Sequence, residues 1–328
     1  MKKQILKLLK ENNNDFLSGE YISRTLGVSR SAIWKHIKQL KEEGYKIEAV
    51  SNKGYKLKSS PDLLTLEEIE PYLNSSVIGR KFIYFNSIDS TNNAAKKIAD
   101  DENSHGTVLI SEEQTNGKGR LGRHWISPKY KGIWMSIILK PNLDPIDASK
   151  ITQIAAAAVT LSLLEMNIKA LIKWPNDIIL NHKKVCGILT EMNAELTNIH
   201  HVIVGIGINV NADKEEFPDD LKDIATSLKI ESNNKINRQI LTAKILNNFE
   251  ILYNKFINNN DIESSLKICR EYSAILGSEI IIINKGEKVS AKAIDIDEEG
   301  KLIVKYSNGN IEKIISGEIS IRGKESYI

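Results

Sequence analysis

The chain has 328 residues, 41% hydrophobic and 27% charged, the profile of an ordinary globular protein long enough for more than one domain. Its net charge of +3 hides an asymmetry: residues 1–60 carry 13 Lys and Arg against 6 Asp and Glu, and the remainder 32 against 36. A basic segment ahead of a slightly acidic body points to a polyanion as the partner of the first part.

The opening residues, MKKQILKLLKENNN, lack the long apolar region and small-residue cleavage site of a signal peptide. Ile5, Leu8 and Leu9 recur at helical spacing and predict a first helix over residues 2–11. A second helix follows in LSGEYISRTLG, capped by Ser18 and stopped by Gly27. A third runs through VSRSAIWKHIKQLKEEG, with Ser29 as N-cap, Ile33, Ile37 and Leu40 as its apolar stripe, and Gly44 as its stop. Two short helices joined by a Gly-containing turn form a helix-turn-helix, whose second helix enters the major groove of DNA. Ser29 opens that helix; Arg30, Ser31, Trp34, Lys35 and Lys38 lie on its outward face as reading residues. The alternating stretch around an Asn-Lys-Gly turn, YKIEAVSNKGYKLK, predicts a two-strand wing that sets Lys53 and Lys56 on phosphates. A solvated basic face on a three-helix scaffold is the competing reading. Helices, wing and charge together favour DNA binding over residues 1–60, with SSPDLL at 59–64 as linker.

From residue 65, strand-like and helix-like segments mix without a strict βαβ rhythm, which predicts an α+β body over 65–270. KFIYFNSI reads as a strand, and STNNAAKKIAD as a helix opening at Ser90 or Thr91. GTVLISEEQ (106–114) and GIWMSIIL (132–139) are predicted strands flanking a loop, and residues 147–167 a long helix with an Ala-rich side packed on a sheet. KALIKWPNDIILNHKKVCGILTEM reads as a hairpin with NHKK as its turn, and HHVIVGIGINV as a strand ending in a glycine-containing turn. Residues 238–268 look helical; 271–328 change to short strands separated by turns, predicting a small β-barrel. No run of about eighteen apolar residues predicts a membrane span. Two cysteines, Cys186 and Cys269, give neither a disulfide framework nor a metal knuckle. A cytoplasmic protein with no membrane partner is the expectation.

TNGKGRLGRHW, residues 115–125, concentrates three glycines and four basic side chains. Gly117, Gly119 and Gly122 spell G-x-G-x-x-G, yet Pro128 and Gly132 follow where a dinucleotide-binding helix should open. Arg123 and His124 stand where a P-loop needs Lys and Ser or Thr. Neither nucleotide fold fits. Glycines still let backbone N–H groups approach a ligand, and Lys118, Arg120 and Arg123 add charge-assisted donors suited to carboxylate or phosphate. KWPND and Lys183–Lys184 add further cations, and no nucleophilic triad is visible. A site rich in cations and poor in nucleophiles suits a reaction between two anions.

SIDSTN (87–92), EQTNGKGRLGRHW (113–125), KWPND (173–177), KKVCGIL (183–189), GIGINV (205–210) and GEISIR (317–322) occur in that order and resemble the motifs of biotin–protein ligases. With the helix-turn-helix and wing, the chain resembles the bifunctional members that also repress the biotin operon. The resemblance covers essentially the whole chain. It implies a winged helix-turn-helix, a class II synthetase-like ligase domain and an SH3-like C-terminal barrel. It also implies ATP and Mg²⁺ as cofactors, biotin as substrate, and biotinyl-5′-AMP as both intermediate and corepressor. The partners implied are a biotin carboxyl carrier protein, operator DNA and a second copy of the chain.

Carried over residue by residue, Ser90, Thr91, Asn92 and Gln114 are expected to bind the biotin head group. Lys118, Gly119 and Arg120 belong to the biotin and adenylate loop, and Lys184 and Arg120 are the catalytic candidates. Gly117, Arg123, Trp125, Lys173, Asn176, Asn209 and Arg322 are expected around ATP, and Asp177 around Mg²⁺. The family often has Arg where Lys118 stands, and lysine lacks the bidentate fork. Trp174 and Pro175 read as structural. A ligand-sensing transcription factor without catalysis and a lipoate ligase are the rival readings; the glycine loop and the helix-turn-helix favour biotin.

Overall fold

The computed structural model describes all residues except 13, 197, 285–286, 316–319 and 324–328, and leaves the side chains of 320, 322 and 323 undescribed. It divides into two compact units, Met1–Pro71 and Tyr72–Ile328.

In the first unit, α1 (Lys2–Glu11), α2 (Gly19–Leu26) and α3 (Arg30–Glu42) precede an antiparallel wing of β1 (Lys46–Val50) and β2 (Gly54–Ser59). The predicted caps form: Ser18 Oγ accepts from Tyr21 N, and Ser29 Oγ from Ala32 N. Gly27 ends α2 at φ +66°, a left-handed conformation that glycine adopts without a Cβ clash. Ile5, Leu9, Ile22, Ile33, Ile37 and Leu40 fill one core. The unit runs past the expected linker. Leu64 is fully buried, and the short α4 (Leu66–Ile69) places Glu68 against Lys10 at 2.7 Å and the Tyr45 hydroxyl at 2.6 Å.

The second unit opens with β3 (Phe82–Phe85), α5 (Thr91–Ile98), β4 (Val108–Ser111), β5 (Gln114–Lys118), β6 (His124–Ser127) and β7 (Gly132–Leu139). It continues through α6 (Ala148–Leu164), β8 (Leu171–Lys173), β9 (Asp177–Leu180), β10 (Lys183–Ala194) and β11 (Ile199–Asn209). The helices α7 (Leu228–Ser232), α8 (Arg238–Asn259) and α9 (Glu263–Glu271) complete the α+β body. Seven strands form its sheet in the order β3-β4-β7-β11-β10-β9-β8. Alternate residues of a strand face opposite sides. One side of the sheet carries α5, with Ala94, Ala95 and Ala99 against Leu109, Ile138 and Ile203. The long helix α6 contacts the sheet strands as well as α8 and α9, so Ala155–Ala158 are buried completely and small side chains suit the close approach.

Finally β12 (Glu279–Asn284), β13 (Glu287–Ile296), β14 (Leu302–Tyr306), β15 (Ile311–Ile314) and β16 (Ser320–Gly323) form a five-stranded sheet in the order β15-β14-β13-β12-β16. It docks on the body partly through the Gly300 carbonyl, which accepts from Trp174 Nε1 at 3.0 Å and from Gln153 Nε2 at 2.7 Å, and partly through Arg270, which donates to Ile296 O at 2.7 Å, and Lys150, which pairs with Glu299 at 2.7 Å. The structural reading of Trp174 therefore acquires a definite partner.

Three local expectations are corrected. The glycine loop is not bare loop: β5 and β6 pair across it, with Gly117 opposite Trp125 and Lys118 opposite His124. Lys183 and Lys184 belong to β10 rather than to the hairpin tip, because Asn181 and His182, at φ +47° and +65°, make the two-residue turn alone. Gly205 and Gly207 lie within β11, paired with Ser136 and Trp134 of β7, not in a turn at its end.

Candidate functional site

The body holds a cavity of about 250 Å³ beside the α5 face of the sheet. Ser90, Thr91, Asn92, Gln114, Lys118, Gly119, Arg120, Arg123, Trp125, Lys173, Asn176, Asp177, Lys184 and Asn209, all singled out from the sequence, line it. Gly117 does not; it is a paired residue inside β5. The Arg322 side chain lies outside the described residues, while its neighbour Ile321 lines the cavity.

At one end, Ser90 caps α5 and thereby fixes Thr91 and Asn92 in its first turn. Gln114 Oε1 accepts from Thr91 N at 2.9 Å and from Thr91 Oγ1 at 3.1 Å, while Gln114 Nε2 donates to Ser127 Oγ at 3.0 Å. Ser136 Oγ, fully buried on β7, donates to Thr91 Oγ1 at 2.7 Å and also contacts Asn92 Oδ1. Asn92 Nδ2 donates to Glu191 Oε2 at 2.8 Å, and Glu191 also pairs with Lys96 at 2.7 Å. Each polar group here is oriented by another before any ligand arrives. Ser136 and Glu191 escaped the sequence reading, since an alternating strand gives no sign of which polar residue meets a helix cap.

The floor explains the glycines of β11. A Cβ on Gly205 would stand 2.4 Å from Asn92 Oδ1, and one on Gly207 2.7 Å from Trp125 Nε1. Only a missing side chain lets α5 and the β6 tryptophan sit on the sheet at this depth. Gly187 of β10, directly opposite Gly207, continues the same open strip. A shift of register between Lys184 and Cys186 brings Lys184 back to that side, with its Nζ 3.1 Å from the position of a Gly187 Cβ.

At the other end the cations converge. Lys184 Nζ lies 2.6 Å from Asp177 Oδ1 and 5.2 Å from the Trp125 ring centroid. Arg120 Nη1 donates to Asn176 Oδ1 at 2.9 Å, and Asn176 Nδ2 to Ile188 O at 2.8 Å. Lys173, Asn176 and Asn209 are buried. Asn209 Nδ2 donates to Thr226 O at 3.1 Å. Lys118, with Nζ 3.3 Å from Asn93 Oδ1, and Arg123 stay exposed at the rim. Burial pushes the Cys186 thiol far above its usual range, which removes it as a nucleophile. The site can hold and neutralise anions; it offers no group to attack them.

Loop closure comes from the sequence between the strands. Gly119 N donates to Arg123 O at 2.7 Å, and Leu121 and Gly122 turn the chain at φ +57° and +71°. On the far rim, Lys131 Nζ holds Glu216 at 3.0 Å and Asp213 at 3.2 Å, and Lys229 holds Asp213 at 2.6 Å. Glu216 and Phe217 line the cavity, so this ion cluster sets the position of one wall.

In the first unit, Ser29, Arg30, Ser31, Trp34, Lys35, Lys38 and Lys53 are all exposed. Lys56 is half-buried and donates to Asn14 O at 2.6 Å. No helix among the described residues is long and apolar enough to cross a membrane.

Three sequence families match successive parts of the chain. An HTH domain matches residues 2–56, the biotin/lipoate A/B protein ligase family residues 84–209, and the biotin protein ligase C terminal domain residues 275–322. Bifunctional ligase/repressor BirA of Bacillus subtilis (strain 168) is 39% identical over 322 residues, 98% of each chain. The protein of the same name from Escherichia coli (strain K12) is 27% identical over 315 residues, 95% of each. Among solved structures, the biotin protein ligase from Aquifex aeolicus in complex with biotin and ATP superposes with a TM-score of 0.65 at 29% identity, covering 75% of this chain and all of that one. With a matching helix-turn-helix, ligase body and C-terminal domain in one chain, the protein belongs to the family of bifunctional biotin–protein ligases and repressors.

Proposed function

We propose that the chain activates biotin with ATP as biotinyl-5′-AMP, transfers biotin to a lysine of a biotin carboxyl carrier protein, and represses biotin genes with the same adenylate as corepressor. The observation that carries the ligase reading is the convergence of the Ser90–Asn92 polar network and the Lys184, Arg120 and Lys118 cations on one cavity. One end suits an uncharged polar head group and the other a carboxylate meeting a polyphosphate.

In the first step a carboxylate oxygen of biotin attacks the α-phosphorus of ATP. A carbon-bound oxygen joins phosphorus, the α–β anhydride bond breaks, and pyrophosphate leaves with the electron pair. Two anions repel as they meet, and fixed cations in a water-poor site relieve that repulsion without reorganising. Lys184 and Arg120 supply this charge, while Ser90, Thr91, Asn92 and Gln114 orient the head group. Gly119 lets the hairpin backbone approach, and Lys118 adds a point charge rather than a fork. Arg123, Trp125, Lys173, Asn176 and Asn209 surround the nucleotide, with Gly117 shaping the hairpin that carries the first two and Arg322 assigned there by resemblance alone.

In the second step the neutral ε-amine of the carrier lysine attacks the acyl carbon. A C–N bond forms, the C–O bond to AMP breaks, and the amine releases a proton to solvent. Magnesium would arrive with ATP, taking most ligands from phosphate and water. Among the described residues no three His, Cys, Asp or Glu side chains gather, so the fit is to Asp177, whose carboxylate lies within the Lys184 pair. Bound there, the ion would neutralise phosphate oxygens.

For repression, the adenylate steadies the β5–β6 hairpin and favours a homodimer, which presents two α3 helices to a palindromic operator. Incubation with biotin, Mg-ATP and a biotin carboxyl carrier domain tests the ligase: a carrier that gains no biotinyl mass defeats it. Operator affinity unchanged by biotin plus ATP defeats the regulatory part.

A further inference from the structure

We infer that Trp34 is the base-reading residue of α3 and that it recognises the 5-methyl group of a thymine in the major groove. The inference rests on the DNA-binding reading of the first unit and gives that surface a specific chemical target.

Trp34 is 60% exposed, although Ile33, Ile37 and Leu40 of the same helix are buried in the core. Packing within the unit therefore gives no account of an indole at this position. Its surroundings are cationic. Lys38, one turn on, holds Nζ 5.8 Å from the ring centroid, and Lys35 is exposed beside it. With 13 basic against 6 acidic residues over positions 1–60, the surface around the ring complements a polyanion rather than an apolar protein face.

The other outward groups are charged or polar and so less suited to reading a methyl group. Arg30 pairs with Glu20 of α2 at 3.0 Å, and Ser29 and Ser31 pair their hydroxyls at 2.9 Å. Lys35 and Lys38 are flexible point charges, which position a protein on phosphates. Among the described residues of α3, Trp34 is the one exposed large hydrophobic side chain. Among the groups a duplex presents in the major groove, the thymine methyl is the one that calls for apolar contact. A lysine held over the ring restricts the indole.

The test uses full-length protein with biotin and ATP, and duplexes that it selects from a randomised library. Each thymine of a selected duplex is replaced singly by deoxyuridine, which removes only the methyl. The wild type is expected to lose about fourfold in affinity at one thymine per half-site, the fold-change of one buried methyl. Trp34→Ala is expected to bind the thymine duplex weakly and to ignore that replacement, and Trp34→Phe to regain part of the difference. Trp34→Ala should leave the salt slope of binding unchanged, whereas Lys38→Ala lowers it by about 1. Uracil penalties that are equal in wild type and Trp34→Ala at every thymine overturn the inference while leaving DNA binding intact. Failure to select any duplex overturns DNA binding and this inference with it. Far-UV circular dichroism of Trp34→Ala separates loss of reading from loss of helix; a variant that binds poorly because α3 has melted also loses the salt slope.

Discussion

Single atoms decide how the site discriminates between its ligands. Arg120 reaches Asn176 across the cavity at 2.9 Å, so the tip of the hairpin is tied to the Lys173–Asp177 segment while Gln114 at its base holds Thr91. Arg120→Gly is expected to speed adenylate release about tenfold or more, the worth of a charge-assisted hydrogen bond, and to alter biotin affinity far less. Stopped-flow release of adenylate beside calorimetry of biotin gives the comparison, and equal losses would remove Arg120 from that role. Gly205 makes the opposite forecast. Its missing Cβ leaves room for Asn92 Oδ1, which an added methyl would meet at 2.4 Å. Gly205→Ala should weaken biotin about tenfold or more by displacing Asn92, at a stability cost of about 1–3 kcal/mol. Unchanged biotin affinity in calorimetry would show that Asn92 is not a contact.

Elements are joined to the site by charge. Lys131 and Lys229 fasten residues 213–217, and the Lys131 carbonyl accepts from Val210 N and Asn211 N, so the start of β7 and the end of β11 move together. Asn209 lies on that side, and the proposal gives that side to the nucleotide. Lys131→Met is therefore expected to raise KM for ATP about three- to tenfold with KM for biotin unchanged; steady-state kinetics varying each substrate decides, and a parallel rise in both would contradict the assignment. Helix α8 has a similar fastening at the entrance to the body. Glu250 accepts from the backbone N–H groups of Ser76, Val77 and Ile78 and from the Ser76 hydroxyl. Burial alone would raise this carboxyl, but those donors outweigh it and hold it below its ordinary 4.5. A folded value below the unfolded one stabilises at neutral pH, and the contribution disappears as pH falls through the carboxylate range. Glu250→Gln should thus be less stable than wild type at pH 7, with the gap closing toward pH 3 in urea titrations. A gap independent of pH would mean that the carboxylate charge is irrelevant there.

At the scale of the molecule, distant segments meet through a few buried groups. Arg238 opens α8 and Glu112 follows β4; their side chains are completely buried and 2.8 Å apart, and Arg238 also donates to Gly132 O at 2.9 Å. Removing Arg238 takes the buried counter-charge from Glu112, so Arg238→Met should cost about 3–5 kcal/mol in denaturant unfolding. Adding Glu112→Leu should restore much of it, and a double variant no better than the single would contradict this account. Neither residue stood out in the sequence. Ser18, Gly27, Ser29 and Ser90 did, because caps and stops depend on hydrogen bonds to residues three or four away. Motif residues of the cavity were legible through their spacing and resemblance. Ser136 and Glu191 were not, since their bonds to Thr91 and Asn92 join positions 45 and 99 residues apart. Gly205 and Gly207 looked like turn chemistry until strand pairing set both inside β11, with Gly207 opposite Gly187.

Gly300 has a consequence for synthesis of the chain. Its carbonyl is the acceptor for both Trp174 Nε1, inside KWPND, and Gln153 Nε2 on α6. While a ribosome is still making residues 175–299, both buried donors lack that acceptor, and the wall of the cavity between Lys173 and Asp177 lacks its outer support. Emergence of the turn at Gly300 supplies one oxygen to two elements at once. Until residue 300 is made, a chain holding every motif from Ser90 to Asn209 lacks the acceptor that these two buried donors share.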